Sequence, residues 1–214
     1  MALGILTSAA VVAVAIYGIG FTGRSAPQPR GLSPGGGTVV SRAPDAGRSL
    51  LPRSFAWLTL TAPPSSWTRL TLPSGLGSLS VPPRFRAVPG DPGTATFAFV
   101  GSGGTSLGYL NVTPMEGDER LAGWAGFRLA HLRDDGTISA RKDGAVESVR
   151  TGQSLRSCIT DDYVTEIAHH HFQEVACLVM STSEVGVVVA TTPSGDPAHV
   201  WRELERAVAA YPLA

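Results

Sequence analysis

Apolar residues are distributed in three different ways along this chain of 214 residues. Residues 2–22 form one apolar run without a charge, residues 24–65 show no sustained pattern, and later residues alternate in short segments. An uncharged run of about 20 residues is long enough to cross a bilayer as a helix. The pattern therefore predicts a transmembrane anchor or uncleaved signal at 1–23, a disordered linker at 24–65 and a globular domain at 66–214.

The globular region consists mainly of short segments in which apolar and polar residues alternate between turns that contain Gly or Pro. This alternation is typical of β-strands. The predicted strands span 68–72, 76–81, 94–100, 107–113, 138–141, 145–150, 155–167, 172–181 and 185–192. Residues 187–190 are all apolar, so we expect the last of these strands to be central and buried.

Two further segments repeat their apolar residues at helical spacing. The first spans 119–133, and its apolar stripe includes Trp124 and Leu132. The second begins at Asp196 and Pro197, which favour the N-cap and the first helical position respectively, and its stripe runs from Trp201 to Tyr211. Strands and helices together predict an α+β domain, in which an antiparallel sheet is flanked by two helices.

The linker contains seven Pro and five Gly, which is typical of a flexible tether. One apolar segment, 55–60, interrupts it, and this segment is either a short strand or a piece that docks on the domain. Before the linker, Gly18–Gly23 matches G-x-G-x-x-G, but Pro27 and Pro29 follow, so the helix that a dinucleotide site requires cannot begin there. We assign these glycines to the membrane segment and expect no cofactor.

The charge composition excludes some classes of function and indicates the kind of genome that encodes the chain. The chain has 17 basic and 17 acidic residues, and this balance argues against nucleic acid as a partner. All basic residues but Lys142 are Arg, and with the abundant Ala and Gly this indicates a GC-rich bacterial genome. Five of the arginines lie within 24–53, where the positive-inside rule would place the domain in the cytoplasm.

The two cysteines indicate the opposite side of the membrane. A hairpin centred near 167–168 brings Cys158 and Cys177 opposite each other on consecutive predicted strands. Residues paired in this way have Cα atoms about 4.5–5.5 Å apart, a distance that suits a disulfide bond. We therefore predict a bridge. Because disulfides persist outside the cytosol, we expect a single-pass protein of the cell membrane with an extracytoplasmic domain.

The candidate catalytic and metal-binding residues are few. His169 and His171 would share one face of a strand, with Asp161 or Asp162 across the hairpin, and two His with a carboxylate can bind zinc. A solvated turn is the simpler interpretation, because neighbouring imidazoles point in divergent directions, so we predict no metal site. Asp161 and Asp162 would point to opposite faces, one buried and one in solvent, and could not act as a catalytic pair.

Four segments of the domain carry a resemblance to a known superfold: Phe127–Leu129, Ser157–Tyr163, Glu174–Val179 and Trp201–Tyr211. They resemble the Mog1/PsbP-like α/β/α sandwich and, more closely, small membrane-anchored or secreted actinobacterial domains of that superfold. The resemblance covers about residues 68–212. It implies binding or assembly roles and no particular reaction. The anchoring Cys of the lipoprotein members has no counterpart in this sequence.

We therefore expect a membrane-anchored extracytoplasmic domain that binds an unknown protein or ligand without catalysing a reaction, attached to the membrane through residues 2–22. A cell-envelope enzyme that uses a metal at histidines 169–171 is the alternative. A third possibility is an anchored domain that faces the cytoplasm. A disulfide found in native protein would favour the first over the third, and the enzyme would require titratable groups that converge in a pocket.

Overall fold

The computed structural model describes residues 53–59, 62–73, 76–101, 104–115, 117, 119–134, 136–167, 169–182, 185–195 and 198–211. All of them belong to one compact unit, Arg42–Ala214. The predicted membrane segment, most of the predicted linker, and the helix-initiating residues Asp196 and Pro197 lie outside the described residues.

Seven antiparallel strands form the main sheet, in the order β3-β4-β5-β9-β8-β7-β6. The apolar run at 187–190 predicted a central strand, and β9 does occupy the middle position. The strands are β3 (Phe85–Val88), β4 (Ala95–Val100), β5 (Ser106–Pro114), β6 (Thr137–Thr151), β7 (Ser154–Thr165), β8 (His171–Met180) and β9 (Val185–Pro193). The antiparallel α+β architecture predicted from the sequence is thus present in the structure.

A smaller sheet and a helical segment cover one side of the domain. The two-stranded sheet pairs β1 (Thr68–Thr71) with β2 (Ser78–Val81). A short 3₁₀ segment, Arg53–Leu58, lies inside the predicted linker and buries Phe55 and Leu58 completely. A Cβ on Gly144 would lie only 3.2 Å from Cε2 of Phe55, so a glycine there leaves room for the ring. The apolar segment of the linker therefore docks on the domain and does not form a strand.

The two helices, α1 (Trp124–Asp134) and α2 (Ala198–Ala210), lie on opposite faces of the main sheet. Successive residues of a strand point to opposite faces. On β8, Cys177 belongs to the core that contains α2, whereas Ala176 and Leu178 belong to the core that contains α1. Neither of these helices is long and apolar enough to span a membrane, and the same holds for the 3₁₀ segment.

A buried arginine on β7 holds the C-terminal end of α2. Nη1 of Arg156 donates hydrogen bonds to the carbonyl oxygens of Val208 and Ala209, each at 3.0 Å. A cation is favourable at this end of a helix, where backbone carbonyls have no partner within the helix. Burial lowers the pKa of Arg156 to about 10, so the side chain is still protonated at neutral pH. The hydroxyl of Tyr211, just after the helix, donates to the carbonyl of Leu76 at 2.9 Å.

The structure differs from the predicted elements at two boundaries and in one further strand, each for a local reason. The two strands expected at 138–141 and 145–150 are one strand, β6, because bulges absorb the extra residues while pairing with β7 continues. Helix α1 begins at Trp124, five residues later than predicted, because Gly123 has φ 81° and cannot be part of a helix. Strand β3 was not predicted, since only four residues alternate after Pro82 and Pro83.

Candidate functional site

The predicted disulfide bond is present at the centre of the sheet. Cys158 of β7 pairs directly with Cys177 of β8, and their Cα atoms are 4.1 Å apart. Both side chains are fully buried in the core below α2. The bond joins two strands that are already paired in the sheet, so it stabilises the fold and offers no exposed sulfur for chemistry.

The histidines and the aspartates that were considered as their partners occupy different positions along the hairpin. His171 is the first residue of β8 and pairs with Val164, while His169 lies in the preceding turn with φ 51°. Asp161 pairs instead with Glu174, further along the hairpin. Among the described residues, no group of three or more His, Cys, Asp or Glu side chains could hold a metal ion.

A buried ionic cluster lies between α1 and the sheet. Arg128 of α1 forms two hydrogen bonds with Glu174 of β8, from Nε to Oε1 at 2.7 Å and from Nη2 to Oε2 at 2.8 Å. The side chain of Glu174 is 1% exposed and that of Arg128 is 15% exposed. Thr191 of β9 also donates to Glu174, at 3.4 Å. Beside them Asp161 is 0% exposed, and neither of its carboxyl oxygens has a hydrogen-bond partner among the described residues.

The environment of this cluster changes the protonation of its members. Burial and the Glu174 carboxylate raise the pKa of Asp161 to about 8, against the opposing effect of Arg128. Burial disfavours the charged form of Arg128, but Glu174 more than compensates and the pKa of Arg128 is raised. Burial and Glu174 also raise the pKa of Tyr163. At neutral pH the cluster therefore holds one ion pair, Arg128 with Glu174, beside a largely neutral Asp161.

This arrangement suits packing better than catalysis. A general acid with a pKa near 8 would be useful to an enzyme, but it must reach the proton that it transfers. Asp161 is completely covered, whereas Arg128 and Tyr163 are partly exposed. The expectation that one of the two adjacent aspartates is buried was correct: Asp162 is 36% exposed and forms an ion pair with Arg141 at 2.8 Å.

A cleft with a basic rim lies at the β3 edge of the sheet. It has a volume of about 520 Å³. Arg84, Arg86 and His199 form its polar rim, and Phe99 and Leu107 are among its apolar lining residues. The guanidinium carbon of Arg84 lies 5.5 Å from the centre of the Phe99 ring, within the range of a cation–π interaction. Neither arginine has a carboxylate within ion-pair distance in the described part of the chain.

A second hollow, about 190 Å³ in volume, borders the same strand. It is mostly apolar and shares Pro83 with the basic cleft. Its other lining residues are Thr68, Leu70, Val81, Pro82, Phe85, Ala87 and Phe97. The residues of segment 84–87 therefore alternate between the two cavities: Arg84 and Arg86 line the cleft, and Phe85 and Ala87 line the hollow. The rim of the cleft is basic, whereas the lining of the hollow is mostly apolar.

The sequence predicted neither the basic cleft nor the pairing of Arg128 with Glu174. A signal was present for the cleft, because Arg84-Phe85-Arg86-Ala87 alternates basic and apolar residues with the period of a strand. The segment is short and follows two prolines, and no element was predicted there. No signal marked Arg128 as the partner of Glu174, since the two residues are 46 positions apart and meet only when α1 docks on β8.

Comparison with known proteins adds little to this description. No family model matches the chain, and no curated protein matches its sequence. The Ran-binding protein Mog1p of Saccharomyces cerevisiae has 13% identity and a TM-score of 0.45 over 66% of this chain and 91% of its own.

Two bacterial structures overlap with the chain to a similar extent. A Bacteroides thetaiotaomicron protein has 13% identity and a TM-score of 0.42 over 67% of this chain and 47% of its own. A Pseudomonas aeruginosa protein of unknown function has 9% identity and a TM-score of 0.41 over 70% of this chain and 99% of its own. At these values the likeness carries no conclusion about what this chain binds, and the α+β architecture is established by its own strands and helices.

Proposed function

We propose that this chain is a single-pass membrane protein whose folded domain lies outside the cytoplasm and binds a partner protein without catalysing a reaction. The observation that carries the proposal is the buried Cys158–Cys177 bridge, because disulfides form and persist in oxidising compartments. The arginines at 24–53 would favour the cytoplasm. We give more weight to the bridge, which is built into the register of the sheet.

Two further features support the membrane and binding parts of the proposal. The charge-free run 2–22 has the length and composition of a membrane-spanning helix. The ion pair between α1 and the sheet is largely buried and unavailable to a partner. Arg84 and Arg86, in contrast, are exposed at the rim of a cleft. Exposed cations beside apolar surface suit the recognition of a partner.

The anchor can be tested with a charge placed inside the apolar run. Val12→Arg should release the full-length protein from carbonate-washed membranes, because an arginine in the middle of a membrane helix costs about 2.5–3.5 kcal/mol for insertion. Ser25→Arg introduces the same charge just beyond the run and should leave the protein in the membrane fraction. Wild-type protein that remains in the supernatant after high-speed sedimentation would contradict the anchor.

The side of the membrane on which the domain lies can be tested in cells that express the full-length protein. Protease added to intact spheroplasts should degrade the wild-type domain, detected through a C-terminal tag, while a cytoplasmic marker survives. Because both side chains are buried in the folded domain, labelling is done in denaturant, where Cys158 and Cys177 should react with a thiol reagent only after reduction. A protected domain with two reactive thiols would place it in the cytoplasm and overturn the proposed location.

A further inference from the structure

The outer edge of β3 has the backbone groups that a further strand would need. Within the described residues, β3 is an edge strand that pairs only with β4. The N–H of Phe85 donates to the carbonyl of Pro82 at 3.0 Å, so Phe85 does not use this group on β4. In an antiparallel pair, alternate residues share the same hydrogen-bonding direction. The N–H and C=O of Ala87 therefore also point away from β4.

The side chains beside this edge make a two-sided recognition surface. Phe85 and Ala87 border the apolar hollow, and Arg84 and Arg86 border the basic cleft. A strand placed along β3 would also point its successive side chains to opposite faces. Its apolar residues could enter the apolar hollow while its charged residues meet the arginines.

We infer that β3 binds an extended segment of a partner protein as an additional strand, and that this segment alternates acidic and apolar side chains. The inference rests on the proposed binding function and identifies its site and the chemistry of its partner. Backbone hydrogen bonds to an exposed edge supply affinity in this mode, and pockets for alternate side chains supply specificity. Arg84 and Arg86, which have no carboxylate partner among the described residues, select acidic residues.

The charges of the rest of the chain make other occupants less suitable. A second copy that paired its β3 symmetrically with this β3 would bring Arg86 close to the Arg86 of the copy, and like charges across paired strands are unfavourable. The chain's own residues 1–53 carry five Arg and one Asp, so they would be repelled as well. An anionic membrane surface could meet the arginines, but it would leave the backbone groups of Ala87 unused.

The opposite edge of the sheet provides a contrast and a control. Strand β6 is also an edge strand, but its exposed side chains carry both signs of charge, as Arg141, Lys142, Asp143 and Glu147 show. Mixed charges along an edge are a common protection against pairing with other strands. Arg150 is an exposed arginine of this edge. Replacing it with Glu makes the same change of charge as Arg86→Glu on β3, so Arg150→Glu is the matched control.

The probe is a fluorescent peptide of alternating Glu and Val, and its binding to full-length protein in detergent micelles is measured by anisotropy. Arg86→Glu should weaken binding by about tenfold or more, because like charges then face each other. Arg150→Glu should change the affinity by less than about twofold, as expected for a charge far from the site. A Lys and Val peptide should not bind detectably.

A second peptide separates strand addition from simple charge attraction. The Glu and Val peptide with alternate backbone amides methylated keeps its charges but loses donors to Ala87, and it should bind at least about tenfold more weakly. Equal binding of the two peptides would overturn strand addition, and no binding of either would overturn the inference altogether. Binding of anionic phospholipid vesicles that requires Arg86, without peptide binding, would assign the cleft to a lipid surface. A dimer that dissociates on Arg86→Glu would assign it to a second copy.

These outcomes are separate from the tests of the anchor and its orientation. A protein that is anchored and extracytoplasmic but does not bind the peptide contradicts only the inference about β3. A protein that binds the peptide but is protected from external protease contradicts only the location.

Discussion

Asp161 is the residue whose replacement should reveal most about the interior of the domain. Its carboxyl is 0% exposed and has no hydrogen-bond partner in the part of the chain that the structure describes. It lies beside Glu174, with Arg128 as the cation facing it from α1. The other charged or titratable groups that affect it or lie opposite it are Asp162 and Tyr163 on β7 and Lys142 and Asp143 on β6. Asp161→Asn keeps the size of the side chain but removes its titration.

The expected effect follows from the difference between the folded and unfolded pKa values. The pKa of Asp161 is about 8 in the folded protein and about 3.9 in an unfolded chain. Between these values the folded state holds a proton that the unfolded state has lost, so this group's contribution to stability is complete below the lower pKa and disappears as the pH rises through the higher one. The loss is about 1.4 kcal/mol per pH unit, or about 3 kcal/mol between about pH 5 and about pH 7.

Urea unfolding of the compact unit Arg42–Ala214 at several pH values measures this difference. The free energy of unfolding of the wild type should fall relative to that of Asp161→Asn as the pH rises, and above about pH 8 the variant should be the more stable protein. Asp91→Asn is the matched control, because Asp91 is exposed in a turn and its profile should follow the wild type. Parallel profiles for the wild type and Asp161→Asn would refute the argument that Asp161 is buried in its neutral form.

The remaining predictions concern the ion pair and the disulfide. Arg128→Met should lower the free energy of unfolding by about 3–5 kcal/mol because it leaves the buried Glu174 unpaired, and adding Glu174→Gln should restore part of that loss. Urea titrations of Arg128→Met, of Glu174→Gln and of the double variant give the three free energies of unfolding. If the losses of the two single variants add up to that of the double variant, the residues are not coupled. Cys158→Ala should cost about 2–4 kcal/mol, and the double variant with Cys177→Ala about the same, since both remove one bond. A double variant that costs twice as much in non-reducing unfolding experiments would mean that the cysteines contribute separately, without a bridge.

The sheet shows why some features could be predicted from local sequence. The register that pairs Cys158 with Cys177 follows from the centre of a single hairpin and the period of two along its strands. The central position of β9 follows from its uninterrupted apolar run, because only a strand covered on both faces has no polar side to present to water. Helix α2 is similarly local, with Leu204 and Val208 on the stripe that becomes buried.

The candidate sites could not be predicted in this way. Arg128 looks from its sequence context like an exposed residue beside an apolar stripe, and it acquires a buried carboxylate only when α1 crosses β8. The raised pKa of Asp161 likewise requires the burial supplied by several elements at once. At β3, four alternating residues after two prolines are too short a pattern to identify a strand, and its pairing with β4 decides that Arg84 and Arg86 line one cleft.

The sequence alone therefore determined the properties that depend on neighbouring residues: the α+β class of the domain, the alternation of its strands, and the cysteine register. The tertiary structure decided which charges are buried together, which are left at the surface, and that the 3₁₀ segment Arg53–Leu58 belongs to the core. The physical reason is that burial and electrostatic environment depend on residues distant in the chain. Hydrophobic periodicity describes only the side of each element that will be covered.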